Sequence, residues 1–334
     1  VFYLPETRWG VGAGASYNFY LNKKDSISPP SQIQLGIGYT QNNQKLIYFP
    51  YDLYWNERKH SLSGEIGYYD YSYYFYGIGP GNESGKKELY DVRFPRLRIN
   101  YLRKIRQHIF AGARWWYEDY DVYNLAENAW LKNDSILGGA GNRTSGPGLV
   151  SLWDNRDNIY FTLKGSYLEL VVHNQEKFWG SEFGYTRYRI DYRQFIQTAK
   201  KQALGLHAFG DVIAGNVPFS QMPAAGNIKR MRGYYEGRYR DRNAMIFETE
   251  YRGYFWRRWG ATAFFNYAFL ANTLSNFNLK QDYASAGAGL RFAFDKEKRI
   301  NVRLDAALPI GDKQNPEKNL VSKTLFYFTI GEAF

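Results

Sequence analysis

The ten residues at 299–308, RINVRLDAAL, decide the fold class because their side chains alternate between apolar and polar. The apolar set is Ile300, Val302, Leu304, Ala306 and Leu308. The polar set is Arg299, Asn301, Arg303 and Asp305. A two-residue period places such sets on opposite faces of a β-strand. The stretch therefore predicts a strand with one apolar face and one charged face.

The same alternation recurs along most of the chain, clearly at 96–103, 186–193 and 283–294. The strands delimited in this way run to about 10 to 13 residues, whereas strands of soluble sandwiches run to about 5 to 6. The longer span suits a tilted crossing of a lipid bilayer. A soluble sandwich with its charged faces in water is the alternative that this pattern leaves open.

The composition favours a chain that meets both lipid and water. The 334 residues include 9 Trp, 31 Tyr and 23 Phe, and Tyr and Trp suit the boundary between apolar and aqueous phases. The mean hydropathy is −0.55, and the chain lacks the run of roughly 18 apolar residues that a spanning helix needs. A helical membrane protein is excluded, whereas a barrel fits because its strands alternate lipid-facing and lumen-facing residues.

Two kinds of connection alternate along the chain. Short polar breaks occur at 56–59, 104–107, 199–201, 256–258 and 295–298. Longer segments rich in Gly, Asn and Pro occur at 74–87, 119–146, 174–182, 214–242, 270–282 and 308–323. This alternation is typical of outer-membrane barrels, which have tight periplasmic turns and long outer loops.

The strand count indicates a closed barrel. Counting back from the C-terminus gives about fifteen strands, and a bacterial single-chain barrel needs an even number. We therefore interpret Val1–Leu4, followed by a turn at Pro5-Glu6, as part of a first strand. The prediction is an all-β, antiparallel transmembrane barrel of about 16 strands with both termini in the periplasm. Residues 1–334 are expected to form this one outer-membrane domain.

The chain ends with LFYFTIGEAF at 325–334. Two-residue alternation predicts that Phe326, Phe328, Ile330 and Phe334 share one face, which Glu332 interrupts. This ending resembles the C-terminal β-signal by which the barrel-assembly machinery recognises its clients. The alternative is an ordinary closing strand that ends in Phe.

The segment RMRGYYEGRYRDRNAMIFETEYR at 230–252 carries a definite resemblance. Met231, Arg232, Gly233 and Tyr234 resemble the (V/L)RG(F/Y) signature of the BamA/TamA outer-membrane superfamily, whose barrel is the bacterial surface antigen domain. The family places this motif in a long sixth outer loop that folds into the lumen before strand twelve. A second family element, at strand eight and the following turn, is matched by Asp154, Arg156, Asp157 and Gly165.

The resemblance implies that Arg232 contacts the inner wall. Its partners by alignment are Glu250 on strand twelve and, where the family has an acid on strand thirteen, Asn266 or Tyr267. A desolvated guanidinium favours such carboxylate pairing. Gly233 permits a sharp turn. Whether the loop merely plugs and stabilises the barrel or also gates it stays open.

The sequence predicts no enzyme, no cofactor and no metal site. The chain has no Cys, and its four His residues form no i, i+4 pair that would suit zinc. No G-x-S-x-G nucleophile motif is present. The net charge of +11 is assigned to loops and lumen rather than to nucleic-acid binding. Expected partners are therefore outer-membrane lipids and lipopolysaccharide.

The resemblance implies an integral outer-membrane protein that inserts barrels into the membrane or translocates polypeptides, with unfolded outer-membrane proteins as clients. Weak pairing of the first and last strands would open a lateral seam. Family members capture clients with periplasmic POTRA domains, which this sequence does not contain. Either such domains belong to a longer form of the protein, or this is a short member without them, which is the expectation. Such a member could rely on self-association, which makes a homodimer a further expectation. The competing hypothesis is a passive pore or structural surface antigen.

Overall fold

A computed structural model describes residues 2–4, 8–25, 27–79, 87–132, 135–277, 282–310 and 324–334. Sixteen strands form one antiparallel sheet in chain order. The first eight are β1 Phe2–Leu4, β2 Arg8–Phe19, β3 Ser31–Thr40, β4 Lys45–Trp55, β5 His60–Phe75, β6 Glu88–Arg106, β7 Ile109–Tyr123 and β8 Gly141–Asp154. The others are β9 Gly165–Gln175, β10 Tyr185–Ala199, β11 Gln202–Gly215, β12 Asn243–Trp256, β13 Trp259–Ala271, β14 Asp282–Asp295, β15 Ile300–Ile310 and β16 Leu325–Ile330.

The predicted all-β barrel of about 16 strands is confirmed. The first strand, expected at Val1–Leu4, is the short β1, and the turn predicted at Pro5-Glu6 lies outside the described residues. The described helices are four 3-10 turns, at Trp130–Lys132, Lys177–Trp179, Phe219–Gln221 and Leu274–Asn276. None of the described helices is long and apolar enough to cross a membrane.

The wall is apolar outside and charged inside. On β15, Leu304 is 46% exposed, whereas its neighbours Arg303 and Asp305 are 1% and 0% exposed. The same reversal holds on β14, where Leu290 and Phe294 are exposed and Arg291 is buried. A soluble sandwich would bury the apolar face and hydrate the charged one. The polar face of the alternating segments therefore lines a lumen.

The connections separate into two ends. One end, called here the turn end, carries short turns at 56–59, 107–108, 200–201, 257–258 and 296–299. The opposite loop end carries the connections β5–β6, β7–β8, β9–β10, β11–β12 and β13–β14, of which 80–86, 133–134 and 278–281 lie outside the described residues. Between β2 and β15, three connections depart from the pattern, since the β2–β3 connection and 155–164 are long at the turn end and 41–44 is short at the loop end. Because the strands are antiparallel and even in number, both ends of the chain lie at the turn end.

The connection between β11 and β12, residues 216–242, folds back into the lumen and is called here the lumen loop. It contains a short antiparallel pair of two-residue strands, Ala224–Ala225 and Tyr239–Arg240. Its Met231, Tyr234 and Tyr239 pack in one apolar cluster with Phe209 and Ile246 of the wall. Burial of each large side chain contributes about 1.5 to 3 kcal/mol, so the loop forms much of the interior core.

Candidate functional site

The guanidinium of Arg232 is the centre of the site. Its Nη1 donates to Asp305 Oδ2 on β15 at 2.7 Å, and its Nη2 donates to Glu250 Oε2 on β12 at 2.6 Å. The side chain is completely buried and lies over the ring of Phe264, with its Cζ 3.5 Å from the ring centroid. Two carboxylates and an aromatic face compensate the desolvation of one buried cation. The lumen loop is therefore held to two separate strands of the wall.

The backbone around Arg232 is held equally tightly. Met231 has φ +58° and its N–H donates to Glu248 Oε1 at 3.1 Å. The carbonyl oxygen of Arg232 accepts from Ser285 Oγ at 2.5 Å and from Asn266 Nδ2 at 3.1 Å. Side chains of three strands, β12, β13 and β14, thus fix the peptide units that flank the guanidinium.

Gly233 and Tyr234 complete the motif. The N–H of Gly233 donates to the hydroxyl of Tyr327 on β16 at 2.9 Å. The hydroxyl of Tyr234 donates to the carbonyl of Ala284 on β14 at 2.8 Å. The motif therefore also contacts the last strand of the sheet.

A Gly233→Ala substitution is expected to destabilise the barrel by about 1 to 3 kcal/mol. Gly233 has φ +109°, and an added Cβ would lie 2.9 Å from the Cβ of Ser285. Gly38→Ala is the matched control, because Gly38 lies in ordinary strand conformation with the nearest atom 3.5 Å from an added Cβ. Urea unfolding in detergent measures both variants. Equal midpoints for the two would contradict the strained, closely packed geometry of Gly233.

The structure changes part of the expected pairing. Asn266 contacts the main-chain carbonyl of Arg232 rather than its guanidinium, and the hydroxyl of Tyr267 bonds Asp282 instead. The second carboxylate is Asp305, which sequence reasoning did not connect with Arg232. Its place on the polar face of RINVRLDAAL was visible, but only strand register shows which residue it faces across the lumen.

Further buried charges surround this pair and are called here the lumen charge network. Its members are Arg232, Arg252, Arg291, Arg303, Glu250, Asp305 and Glu332. Arg291 is central, with Nη1 bonded to Asp305 Oδ1 and Nε 2.8 Å from Glu332 Oε2. Four arginines share three carboxylates, so each acid serves more than one cation.

The chain end departs from the predicted single face. Phe326, Phe328 and Ile330 point outward and are well exposed, but Phe334 is buried in the lumen. Gly331 has φ +91°, which breaks the strand alternation. Residues 331–334, called here the tail, then turn inward because the carboxylate of Glu332 bonds Arg291 and Asn301. The expectation that Phe334 shares the outward face is therefore wrong.

The tail closes the network on its other side. The Phe334 ring lies 6.1 Å from the ring of Phe195 and 5.0 Å from that of His207, measured between centroids. Nη1 of Arg252 donates to the main-chain oxygen of Phe334 at 3.3 Å. The tail thus contacts β10, β11 and β12, and not only its neighbours β14 and β15.

The turn motif lies apart from the network, at the turn end between β8 and β9. Asp154 accepts from Arg156 Nε at 2.8 Å and from Arg58 Nη2 at 3.2 Å. Asp157 accepts the N–H of Leu163 at 2.9 Å and Arg299 Nη1 at 2.6 Å. These bonds join the β8–β9 connection to the β4–β5 and β14–β15 turns.

Gly165, the last residue of the turn motif, begins β9 with φ +110°. The ion pair of Asp157 with Arg299 also affects titration. Burial alone would raise the pKa of the Asp157 carboxyl. Hydrogen bonds from Arg299 and from the backbone N–H groups of Leu163 and Lys164 outweigh this effect and lower the pKa. Together with Gly165, these contacts make the turn motif a structural connection.

Sixteen strands that are apolar outside, a charged lumen and an inward-folded loop held by a buried arginine define a transmembrane β-barrel of the outer-membrane type. The chain belongs to the Omp85 superfamily, since the Omp85 superfamily domain matches residues 10–334. The family resemblance predicted from residues 231–234 is confirmed. Members such as BamA and CdiB are outer-membrane β-barrels.

Three solved structures share the fold. BamA from Haemophilus ducreyi lacking POTRA domains 1–3 is 14% identical, with a TM-score of 0.59 over 97% of this chain and 70% of that one. CdiB from Acinetobacter baumannii is 11% identical, with a TM-score of 0.59 over 98% of this chain and 57% of that one. CdiB from Escherichia coli is 10% identical, with a TM-score of 0.63 over 98% of this chain and 63% of that one.

This chain spans less than two thirds of the length of either CdiB chain. Identities of 10 to 14% establish the likeness of fold alone. No curated protein is significantly similar in sequence to the chain.

Proposed function

We propose that this chain is an outer-membrane barrel that assembles or translocates other polypeptides at the seam between β1 and β16. The observation that carries the proposal is the state of these two edges. β1 spans three residues and β16 six, and within the described residues no pairing joins them. Edge strands present unpaired N–H and C=O groups. A client strand can add to such an edge through main-chain hydrogen bonds.

The wall beside the seam is loosely packed, which supports opening there. Residues 11–18 of β2 are exposed on both faces. A cavity of about 580 Å³ lies along β2 to β4 and reaches β16, lined by Gly12, Gly14, Gly38, Phe328 and Ile330. Few buried contacts mean a low free energy of local opening. The seam is therefore the segment of the wall that opens most easily.

The lumen loop favours the seam over a central channel as the route for a client. The motif occupies the lumen through the lumen charge network, and Gly233 bonds Tyr327 of β16. A chain crossing the lumen would have to break these ion pairs, whereas a strand added at the seam would not. We therefore favour insertion at the seam over a passive pore.

Exposed aromatic residues support a place in the membrane. Trp153, Trp256 and Trp259 lie on the outer face near the turn end. Tryptophan on the outer face near one end of a barrel is typical of the membrane–water interface. We place the turn end in the periplasm and the apolar outer face in the lipid of the outer membrane.

Client folding tests the proposal. The protein is reconstituted in liposomes, and the folding of a urea-unfolded client barrel is timed by its shift in gel mobility. Faster folding than in empty liposomes is expected, because the open edges template the first client strand. Folding no faster than in empty liposomes would overturn the assembly function for this chain.

A crosslink across the seam locates the activity. The chain has no Cys, so Tyr3→Cys with Phe328→Cys provides a unique thiol pair for a cleavable bifunctional maleimide. Client acceleration should disappear on crosslinking and return on cleavage. The same reagent on either single variant is the control. Unchanged acceleration in the crosslinked protein would exclude the seam as the site of action.

A further inference from the structure

The lumen holds a second charged region, separate from the lumen charge network and nearer the loop end. It is a cavity of about 330 Å³ between β6, β7, β10, β11 and the lumen loop, called here the arginine cavity. Six arginines line it, namely Arg96, Arg98, Arg187, Arg189, Arg230 and Arg240. Three acids line it, namely Glu118, Asp211 and Glu236. The lining therefore carries an excess of three positive charges.

Two of these acids, Glu118 and Asp211, each already pair with two arginines of the cavity. Glu118 accepts from Arg96 Nε at 2.7 Å and from Arg98 Nη2 at 2.5 Å. Asp211 lies 2.7 Å from Arg189 Nη2 and 3.3 Å from Arg187 Nε. Neither carboxylate has the capacity to neutralise a further cation fully.

Arg230 lines the cavity but does not take part in these ion pairs. Its guanidinium lies over the ring of Phe209, with Cζ 3.9 Å from the centroid. Among the described residues this guanidinium has no carboxylate within ion-pair distance and no hydrogen bond, although the main-chain N–H of Arg230 donates to Asn227 Oδ1 at 2.7 Å. Burial and then the charge of Arg189 lower the pKa of Arg230 to about 10. The group remains cationic at neutral pH. The acids whose charges act on it, Asp191, Asp211 and Glu248, are already bonded to Arg193, Arg189 and His207.

Other donors in the cavity are also unused. The buried Nε atoms of Arg189 and Arg240 have no hydrogen-bond acceptor among the described residues, and that of Arg187 has only its ion pair with Asp211. Buried donors without acceptors are costly, and buried excess charge more so. An anion in the cavity would reduce both costs.

We propose that the arginine cavity binds a phosphate group, either free phosphate or the phosphomonoester of a lipid head group. The arginines approach from three elements: Arg96 and Arg98 from β6, Arg187 and Arg189 from β10, and Arg230 from the lumen loop. A tetrahedral dianion offers acceptors in several directions, which a planar carboxylate does not. Guanidinium forks match phosphate oxygens in geometry and charge. This site is independent of the seam and of the proposed assembly function.

Calorimetric titration of the whole chain in detergent tests the site. Inorganic phosphate and glucosamine 1-phosphate are titrated separately at constant ionic strength in chloride buffer. Saturable one-to-one binding is expected, and Arg230→Gln should weaken it about 10- to 100-fold, because a charge-assisted hydrogen bond contributes about 1.5 to 3 kcal/mol. Tighter binding of the sugar phosphate identifies a lipid head group as the source, and equal or weaker binding identifies free phosphate.

Two further variants make the outcome decisive. Arg143→Gln removes an exposed loop-end arginine that pairs with Glu182 at 3.7 Å and should bind phosphate like the parent protein. Arg230→Gln should unfold in urea at or above the parent midpoint, because it removes a half-buried cation that has no carboxylate within ion-pair distance. Absence of saturable binding by both ligands, or equal binding by Arg230→Gln and the parent, would overturn the proposal.

Discussion

Replacing Arg232 with alanine is expected to destabilise the barrel by about 3 to 5 kcal/mol and to raise its ion conductance. The substitution leaves Glu250 and Asp305 fully buried without the cation that bridges them. Loss of both ion pairs removes the charged contacts that hold the lumen loop to β12 and β15, so the loop should detach from the wall more often. Urea unfolding measures the stability, and single-channel recording in planar bilayers measures the current.

Arg143→Ala is the control for this experiment. The Arg143–Glu182 pair is 3.7 Å apart and about half exposed on both sides, and such pairs contribute about 0 to 1 kcal/mol. Arg232→Lys provides an intermediate, because one ammonium cannot bond two carboxylates as a planar fork does. If Arg232→Ala unfolded and conducted like Arg143→Ala, the buried arginine would have no part in closing the lumen.

Replacing Phe334 with alanine is expected to cost about 3 kcal/mol. The ring packs against Phe195 and His207 inside the lumen, and its removal leaves a cavity that the surrounding strands cannot fill. A weakened tail should also detach more often. We therefore expect a lower urea midpoint together with faster trimming of the chain end by carboxypeptidase.

Phe328→Ala is the matched comparison, because Phe328 is the same residue type six positions earlier and is 75% exposed on the outer face. Its substitution should change the midpoint in detergent by less than about 1 kcal/mol. If the two variants behaved alike, Phe334 would lie on the outward face after all, as two-residue alternation alone predicts.

The sequence predicted the wall well because strand periodicity is local. Each alternating segment reports its own two faces, as RINVRLDAAL does, and polar breaks report where strands end. The lumen loop was found in another way, through the family motif at Met231–Tyr234. Both the alternation and the motif lie within short contiguous stretches of the sequence, so neither depends on contacts between distant residues.

Contacts across the lumen could not be predicted in this way. Asp305 lies 73 positions from Arg232 along the chain, and their meeting depends on the register of every strand between them. The orientation of the tail could not be predicted for a different reason. Two-residue alternation makes Glu332 an interruption of an apolar face, whereas its ion pair with Arg291 draws the tail inward. Gly331 was the local signal that alternation ends there.

The lumen loop and the tail enter the lumen from opposite ends and meet in one set of charges. Glu332 bonds Arg291, Arg291 bonds Asp305, and Asp305 bonds Arg232. Thermodynamic linkage follows, since release of either segment changes the free energy of release of the other by the same amount. A double-mutant cycle of Glu332→Gln and Arg232→Ala should therefore be non-additive. Detachment of the tail at the turn end is therefore expected to weaken the attachment of the lumen loop to the wall.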